Sequence, residues 1–493
     1  MVASTNITVN LEICNSKIEN FESFVSMVYQ SVLKLGRDIV SQTLEKMDDT
    51  LKGERDRKRF RCKGFRKTCV KTIMGPVEYQ RRVYLDKAAV EKKQCVYLLD
   101  EALDINRIGL FSKAVCNQAA NLICETTYRG AARAISEMTG MSVSHQAVHN
   151  MIQRLGEERS VAIEKHTALA QNGQGLGEIE TPILYEENDG IWLKLQGKSR
   201  KEHGPSKEMK VGIAYDGVRH MPCGKNKKRR ILDNKVAYAS FESATDFKKQ
   251  KEGLVASRFN VNEILLRILN GDGANWMSKT NSDRIISVLD EFHRNKKITE
   301  CVRDPSFAKL LKDILYKNDI DTLLMCIEAQ INSVSDESEI AKLQELLRYY
   351  TDNKENLLGY YNRGIEIPLT RKPGEIHHAR LGAMESNVYT LIGNRMKDGR
   401  ACWSIRGANN LALILCAYHT SGLESLFCDS NSIPAPKKEP EFVDTLPLFG
   451  ADKVPVREGK GYEFPGGSAL SSSGNVFIRE FAKSLRRGLT NNF

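Results

Sequence analysis

The sequence predicts a multidomain α+β protein: a mixed β-sheet with flanking helices and an all-helical insertion, preceded by an N-terminal helical region. Three observations carry that expectation. The chain has 493 residues, about three domains at roughly 150 residues each. Short apolar strands bounded by turn residues cluster between positions 183 and 289, whereas 292–361 carries only helical periodicity. Hydrophobic residues make up 41% and charged residues 27% of the chain, which is globular usage and too apolar for a disordered one.

Residues 18–58 place Phe21, Phe24, Val25, Val28, Val32, Ile39, Val40 and Leu44 at near-helical spacing and end in charge, predicting a long amphipathic helix. Thr72–Tyr84 holds a Gly75-Pro76 turn between short apolar runs, the pattern of a small hairpin. Residues 98–165 are helical again. Within them, Ala131–Arg154 reads as a helix, a turn at Gly140 and a second helix capped near Ser142 or Ser144. That spacing suits a helix-turn-helix, although an ordinary helical hairpin fits the same residues. Gly173, Gly175 and Gly177 lack both the preceding strand and the Lys-Ser/Thr of a phosphate loop, so 171–180 reads as a flexible linker.

Past the linker, Ile183–Leu195, Met209–Gly217 and Val236–Phe241 read as strands, followed by a polar helix over Ala244–Phe259. A strand at Ile264–Leu269 closes on Asn270-Gly271-Asp272-Gly273, and another is expected at Ile285–Leu289. The organisation that follows is an N-terminal helix (1–60), a basic segment with a hairpin (61–97), a helical region (98–170), a linker (171–180), the first part of a sheet-based core (181–291), a helical insertion (292–374), the second part of the core (375–427), and a Pro/Gly/Ser-rich tail with a short terminal helix (428–493).

Composition narrows the function classes. The longest apolar run, Leu411–Tyr418, falls far short of the ~18 residues a membrane span needs. The first residues lack the basic region and apolar block of a secretory signal. Twelve cysteines without a Cys-x-x-Cys pair read as reduced thiols, so a cytoplasmic protein is expected. The balance of 73 Lys+Arg against 62 Asp+Glu gives a net charge of +11. Ten Lys/Arg lie in Lys52–Lys71 and a second cluster runs from Lys225 to Arg230. One such cluster is ordinary solvated surface; two, beside a helix-turn-helix candidate, favour a polyanionic partner.

Three acids stand out by position. Asp189 lies in the first strand of the core, Asp272 at the carboxyl end of a later strand, and Glu385 on a helix beginning near Ala383. Each alone is an ordinary turn or helix-start residue. Converging, they would suit a pair of hard cations, because Mg²⁺ takes oxygen ligands and two such ions can activate water and stabilise a leaving oxygen. Glu187 shares a strand face with Asp189 and could assist or replace it.

The blocks YEENDGIWLKLQ, EMKVGIAYDGV, NGDGANWM, LDEFHRN and MESNVYTLIGNRMKDGRACWS resemble the ISLre-two type of bacterial insertion-sequence transposases, whose relatives also form an uncharacterised, transposase-like family. The resemblance spans roughly residues 60–420. It implies an RNase H-like catalytic domain with a DDE triad, which motif matching puts on Asp189, Asp272 and Glu385. The triad would hold two Mg²⁺ ions, with Mn²⁺ as a substitute. The spacing of 113 from Asp272 to Glu385 would be filled by the all-helical insertion that Mutator-like relatives carry. Asp290-Glu291-Phe292-His293 resembles their Asp/Cys-x-x-His motif, which implies a place for His293 near the scissile phosphate; a core or helix-start histidine is the alternative.

Arg395 and Arg400 would contact phosphates, and Trp403 reads as a packing residue. Arg57, Lys58, Arg59 and Lys67 would add sequence-independent affinity. His145, Gln146, His149 and Asn150 would face base edges or phosphates. The implied activity is that of a transposase cutting and joining insertion-sequence ends on double-stranded DNA. A homo-oligomer on DNA, associated with the nucleoid when bound, is implied with it. A non-catalytic DNA-binding protein, decayed or domesticated, and an RNase H-like structure-selective nuclease are the alternatives.

Overall fold

The computed structural model describes residues 19–88, 94–105, 107–108, 110–223, 228–274, 282, 284–420 and 422–423, with the side chains of Gln94, Arg107, Ile108 and Arg400 excepted. The tail expected over 428–493 lies outside the described residues. So does the NGDGANWM block beyond Ala274.

Helix α1 (Phe21–Glu54) starts at Asn20, whose side chain accepts the Ser23 N–H while Ser23 Oγ accepts the Asn20 N–H. It ends before the expected boundary at 58 because Asp56 Oδ1 turns the chain by accepting the Lys58 and Arg59 N–H groups. Strands β1 (Phe60–Thr72) and β2 (Gly75–Asp86) make a hairpin much longer than the sequence suggests. Its turn is Ile73-Met74, with Gly75 at φ +104° already paired to Thr72. Val40, Leu44, Met47 and Leu51 of α1 pack on Val70, Val77 and Tyr79 of the hairpin. Also in this region are β3 (Gln94–Val96), α2 (Leu98–Ala102), β4 (Arg107–Ile108) and β5 (Phe111–Ser112), giving a sheet of order β3-β2-β1-β5-β4.

Helices α3 (Lys113–Glu125), α4 (Tyr128–Thr139) and α5 (His145–Gln171) follow. Gly140 closes α4 at φ +65°, and Ser144 Oγ opens α5 by accepting the Ala147 N–H at 3.1 Å. A helix, a turn and a second helix are therefore present, as both the helix-turn-helix and the helical-hairpin readings require.

The segment read as a flexible linker is instead pinned. The Gly177 N–H donates to Ala256 O at 2.7 Å, and a Cβ on Gly177 would lie 2.1 Å from the Arg258 carbonyl carbon. The glycine is there for close backbone approach.

The central sheet contains β6 (Ile183–Lys194), β7 (Ser206–Tyr215), β10 (Val236–Ser240), β11 (Leu266–Gly271) and β12 (Ile285–Leu289), in the order β10-β7-β6-β11-β12. The β6, β7 and β10 strands are antiparallel, and β11 runs parallel to both β6 and β12. Between these strands lie α6 (Gly197–His203), a projecting hairpin of β8 (Val218–Pro222) and β9 (Lys228–Leu232), and α7 (Ala244–Arg258). Strand β11 starts two residues later than expected, since the Leu265 and Leu266 N–H groups are held by Pro182 O.

Alternation along β6 divides the core. Leu184 joins Ala214, Tyr238 and the α7 residues Phe247, Leu254 and Val255. Tyr185, Ile191 and Leu193 join a larger core on the other face with α5, α12 (Met384–Val388) and α14 (Ile405–Tyr418). Helices α8 (Glu291–Cys301), α9 (Pro305–Tyr316), α10 (Ile320–Ser333) and α11 (Glu337–Asp352) enclose a separate core around Leu311, Leu323, Ile327, Leu343 and Leu346. The chain returns through β13 (Ile376–His377), which pairs with β8. After α12 the same helix continues through a π-helical stretch at Tyr389–Gly393 into α13 (Asn394–Met396), so the helix expected from near Ala383 carries a π-bulge. The architecture is mixed α+β.

Candidate functional site

Four consecutive polar residues interrupt the apolar run of β6, and the strand's alternation sends them to different places. Glu186 points to the α7 side, where Lys251 Nζ lies at 2.7 Å and Arg267 Nη1 at 3.1 Å. Asn188 accepts from Lys251 Nζ at 2.9 Å. Glu187 and Asp189 point the other way, toward α12.

Glu187 is fully buried and saturated. Its Oε1 accepts from Tyr215 Oη at 2.5 Å; its Oε2 accepts from Asn270 Nδ2 at 3.0 Å and from the Gly382 and Ala383 N–H groups at 2.8 and 3.0 Å. It is therefore not positioned as an alternative first ligand. It ties β6 to β7, to β11 and to the backbone that leads into α12. Asp189 is half-buried, its Oδ1 accepting the N–H of the neighbouring Gly190 at 2.7 Å.

Asp272 is the first residue past β11. In the parallel pairing Asn270 stands opposite Glu187, so the chain two residues on comes level with Asp189. The Asp272 carboxylate accepts the Ala274 N–H at 2.7 Å, and its carbonyl accepts from Tyr349 Oη of α11 at 2.9 Å. The DEFH motif is a helix start: Asp290 is the N-cap of α8, and its Oδ1 accepts the Phe292 and His293 N–H groups and lies 3.2 Å from His293 Nδ1. Asp290 Oδ2 accepts from Asn270 Nδ2 at 3.0 Å. One Asn270 amide thus bridges Glu187 and Asp290.

Ligand atoms of Asp189, Asp272 and His293 all lie within 4.8 Å of one another. Glu385, the second residue of α12, lines the same cleft of about 290 Å³ with Asp189, Asp290 and His293. The structure thus brings Asp189, Asp272 and His293 into one cluster and puts Glu385 on its wall.

The electrostatics follow from crowding acids at the end of a sheet. Burial raises the pKa of Asp189, and Asp272 and Asp290 add to it, against the Gly190 N–H and His293, which lower it. His293 is raised, first by its hydrogen bond to Asp290, then by Asp189 and the other acids. Burial would raise Asp290, but the bonds from His293 and Asn270 outweigh it and hold the carboxyl below its ordinary value. Burial raises Glu187. A further acid comes from β7: the carboxylate of Glu208 rests on Gly190, where a Cβ would meet its Oε1 at 2.1 Å. Burial and Asp272 raise its pKa.

A donor set of carboxylates at this spacing fits a hard divalent cation, and an imidazole suits Mn²⁺ better than Mg²⁺. His293 Nδ1 faces Asp290, so Nε2 is the nitrogen left for the cleft.

The other expected contacts fall as follows. Arg57 and Lys58 are exposed. Arg59 is turned onto Asp86 at 2.8 Å, and Lys67 pairs with Glu78 at 2.8 Å. His145, Gln146 and Asn150 lie exposed on the first turns of α5, with Gln146 Nε2 donating to Asn150 Oδ1 at 2.9 Å. His149 packs edge-on against Tyr128 at 5.3 Å. Arg395 corrects the expectation of a phosphate contact. Its Nε donates to Ile123 O at 2.7 Å, and the guanidinium lies between Tyr128 and Trp403, a packing site that Ile123 and these rings make inside the protein. Arg400 ends the turn Asp398–Arg400, and its side chain lies outside the described residues. Trp403 is buried, with Nε1 donating to Met396 O at 2.8 Å, as a packing residue should.

Sequence reasoning raised Glu187 as a ligand and missed its tethering role, together with Asn270, Glu208 and Tyr349. Strand parity put Glu187 on the right face, but no local signal reveals which N–H groups arrive from 195 residues away.

The model of the uncharacterised protein family UPF0236 matches residues 16–425. A UPF0236 protein of Caldanaerobacter subterraneus subsp. tengcongensis is 25% identical over 379 residues, 75% of this chain and 74% of that one. The UPF0236 protein in the vanSb 3′ region of Streptococcus gallolyticus is 22% identical over 402 residues, 80% of this chain and 82% of that one. Among solved structures, the Drosophila P element transposase strand transfer complex aligns with 64% of this chain and 81% of that one, at 10% identity and a TM-score of 0.21, a likeness too low to carry an argument.

Proposed function

The chain belongs to the UPF0236 family of uncharacterised proteins, and from that premise and the cleft's geometry we propose that it is a DDE-type transposase acting on double-stranded DNA. The observation that carries the reading is the meeting of Asp189 within β6, Asp272 just past the carboxyl end of β11 and His293 on the first turn of α8, with Glu385 in the cleft that Asp189 and His293 line. Open sheets assemble sites at such strand ends. Two features support it. The sheet order, with the chain's third, second and first core strands antiparallel and the next two parallel, agrees with an RNase H-like core. The name of the Caldanaerobacter relative joins eleven locus designations of one organism, as repeated copies of a mobile element would.

In this reading Asp189, Asp272 and Glu385 hold two Mg²⁺ or Mn²⁺ ions. When bound, such ions supply an activated water or 3′-hydroxyl and stabilise the leaving oxygen. His293, oriented by Asp290, presents Nε2 to a phosphate oxygen. The α4–α5 unit and the basic residues Arg57 and Lys58 contact DNA, and a homo-oligomer bridges two ends.

The test is metal-dependent cleavage of labelled element-end duplex by the wild type and by Asp272→Asn. Cleavage by the wild type alone is expected. Equal cleavage by both removes Asp272 from the chemistry, and tight binding without cleavage by either favours a non-catalytic DNA-binding protein.

A further inference from the structure

The described residues of the second basic cluster, Lys228, Arg229 and Arg230, lie on a ribbon that the cleft does not use. Strands β8 and β9 pair as His220↔Arg230, Met221↔Arg229 and Pro222↔Lys228. All six of these residues are exposed, so the outer part of the ribbon faces solvent on both sides. Only its inner end gains a third strand, where Ile376 and His377 of β13 pair with Arg219 and Val218.

Charge is divided along the ribbon. At its base the buried Asp216 accepts from Arg371 Nε at 2.9 Å and from Asn234 Nδ2 at 3.0 Å. Asp233 meets Arg371 Nη2 at 2.9 Å and Arg219 Nη2 at 3.0 Å. The acids nearby in sequence are thus spent on Arg219 and Arg371. Lys228, Arg229 and Arg230 have no ion-pair partner among the described residues.

A two-stranded ribbon without a covered apolar face contributes little to its own stability, yet this one is anchored through a part-buried ion network. Its base also adjoins the cleft's scaffold: β7 ends at Tyr215, whose hydroxyl donates to Glu187, and β13 runs on to Glu385 eight residues later.

We propose that the β8–β9 ribbon is a nucleic-acid arm that enters a groove of duplex DNA, with Lys228, Arg229 and Arg230 as phosphate contacts. The major groove admits a two-stranded ribbon, and three cations without an ion-pair partner among the described residues, on a support exposed on both faces, complement the phosphates on either side of it. The proposal rests on the reading of the protein as one that acts on DNA.

The experiment measures binding of the full chain to a labelled 30-base-pair duplex across a salt series, without divalent ions. It compares the wild type, the triple variant Lys228→Ala/Arg229→Ala/Arg230→Ala, and a control triple of equal charge on exposed sites of the helical insertion, Lys309→Ala/Lys317→Ala/Lys342→Ala. Each lost phosphate contact lowers the slope of log K against log salt by about 0.9, so the ribbon variant is expected to lose two to three units of slope and roughly tenfold or more in affinity near 0.1 M salt. The control should bind like the wild type. All three should unfold at the same temperature.

Ribbon and control variants with the same slope and affinity would overturn the arm while leaving a DNA-binding wild type intact. A wild type that binds no duplex at any salt would overturn both the arm and the functional reading. Preference for single-stranded DNA, equally shared by the ribbon variant, would also overturn the arm.

Discussion

Tyr349 Oη donates to the backbone carbonyl of Asp272 at 2.9 Å, so a residue of the fourth insertion helix holds the strand end that carries a site carboxylate. The insertion is thereby part of the site's support. A buried hydrogen bond of this kind is worth about 1 kcal/mol, and its larger effect is on the position of Asp272. Tyr349→Phe should lower metal-dependent DNA cleavage several-fold while leaving duplex affinity unchanged. Single-turnover cleavage and anisotropy measured on the same preparation separate the two.

Glu187→Ala should be far more damaging. It leaves the buried Tyr215 and Asn270 donors, and the Gly382 and Ala383 N–H groups at the cleft edge, without this acceptor, a loss of about 3 kcal/mol from the cost of unsatisfied buried groups. Glu187→Gln retains an oxygen for the Gly382 and Ala383 N–H groups and should lose less. Urea unfolding of the two variants gives the order, and a neutral alanine variant would refute the tether.

Divalent ions should stabilise the folded chain. With free Mg²⁺ or Mn²⁺ at tenfold its dissociation constant the gain is about 1.4 kcal/mol, read as a rise in thermal midpoint. Asp189→Asn or Asp272→Asn should abolish the rise, because each removes an oxygen ligand from the cluster. A rise of equal size in all three proteins would place the ions elsewhere.

The His293–Asp290 pair gives stability a pH dependence whose direction is set by His293. Its folded value is raised, by the Asp290 hydrogen bond above all, so its contribution is complete below the ordinary imidazole value of about 6.5 and is lost as pH rises through the raised one. Asp290, whose value is lowered, loses its contribution only in acid, as pH falls through that lowered value. In a chelator, the gap in urea midpoint between wild type and His293→Gln should therefore be widest near pH 5.5, about one unit below that imidazole value, and shrink toward pH 9. A gap that widens with pH would contradict the assignment.

Gly177→Ala tests the pinned segment. The added methyl would sit 2.1 Å from the Arg258 carbonyl carbon, and overpacking against backbone costs about 1–3 kcal/mol. A free linker would tolerate the change with no shift in the unfolding midpoint.

What the sequence determined by itself was local. Periodicity located the strand Ile285–Leu289 to the residue, the helix of the 244–258 region and the helical block after 292, because a helix or strand buries one face at a spacing written in neighbouring letters. Capping residues marked the turn at Gly140 and narrowed the next helix start to Ser142 or Ser144, of which the structure uses Ser144. The three acids were legible by position, in a core strand, at a glycine-flanked strand end and near a helix start. Tertiary structure alone decided that Glu187 is a buried tether and that Arg395 faces Ile123. It alone showed that Gly177 is clamped and that Tyr349 reaches Asp272. Each of these depends on which atoms meet across scores or hundreds of residues, and a hydrogen bond or steric contact with a distant partner leaves no periodicity in the chain on either side of it.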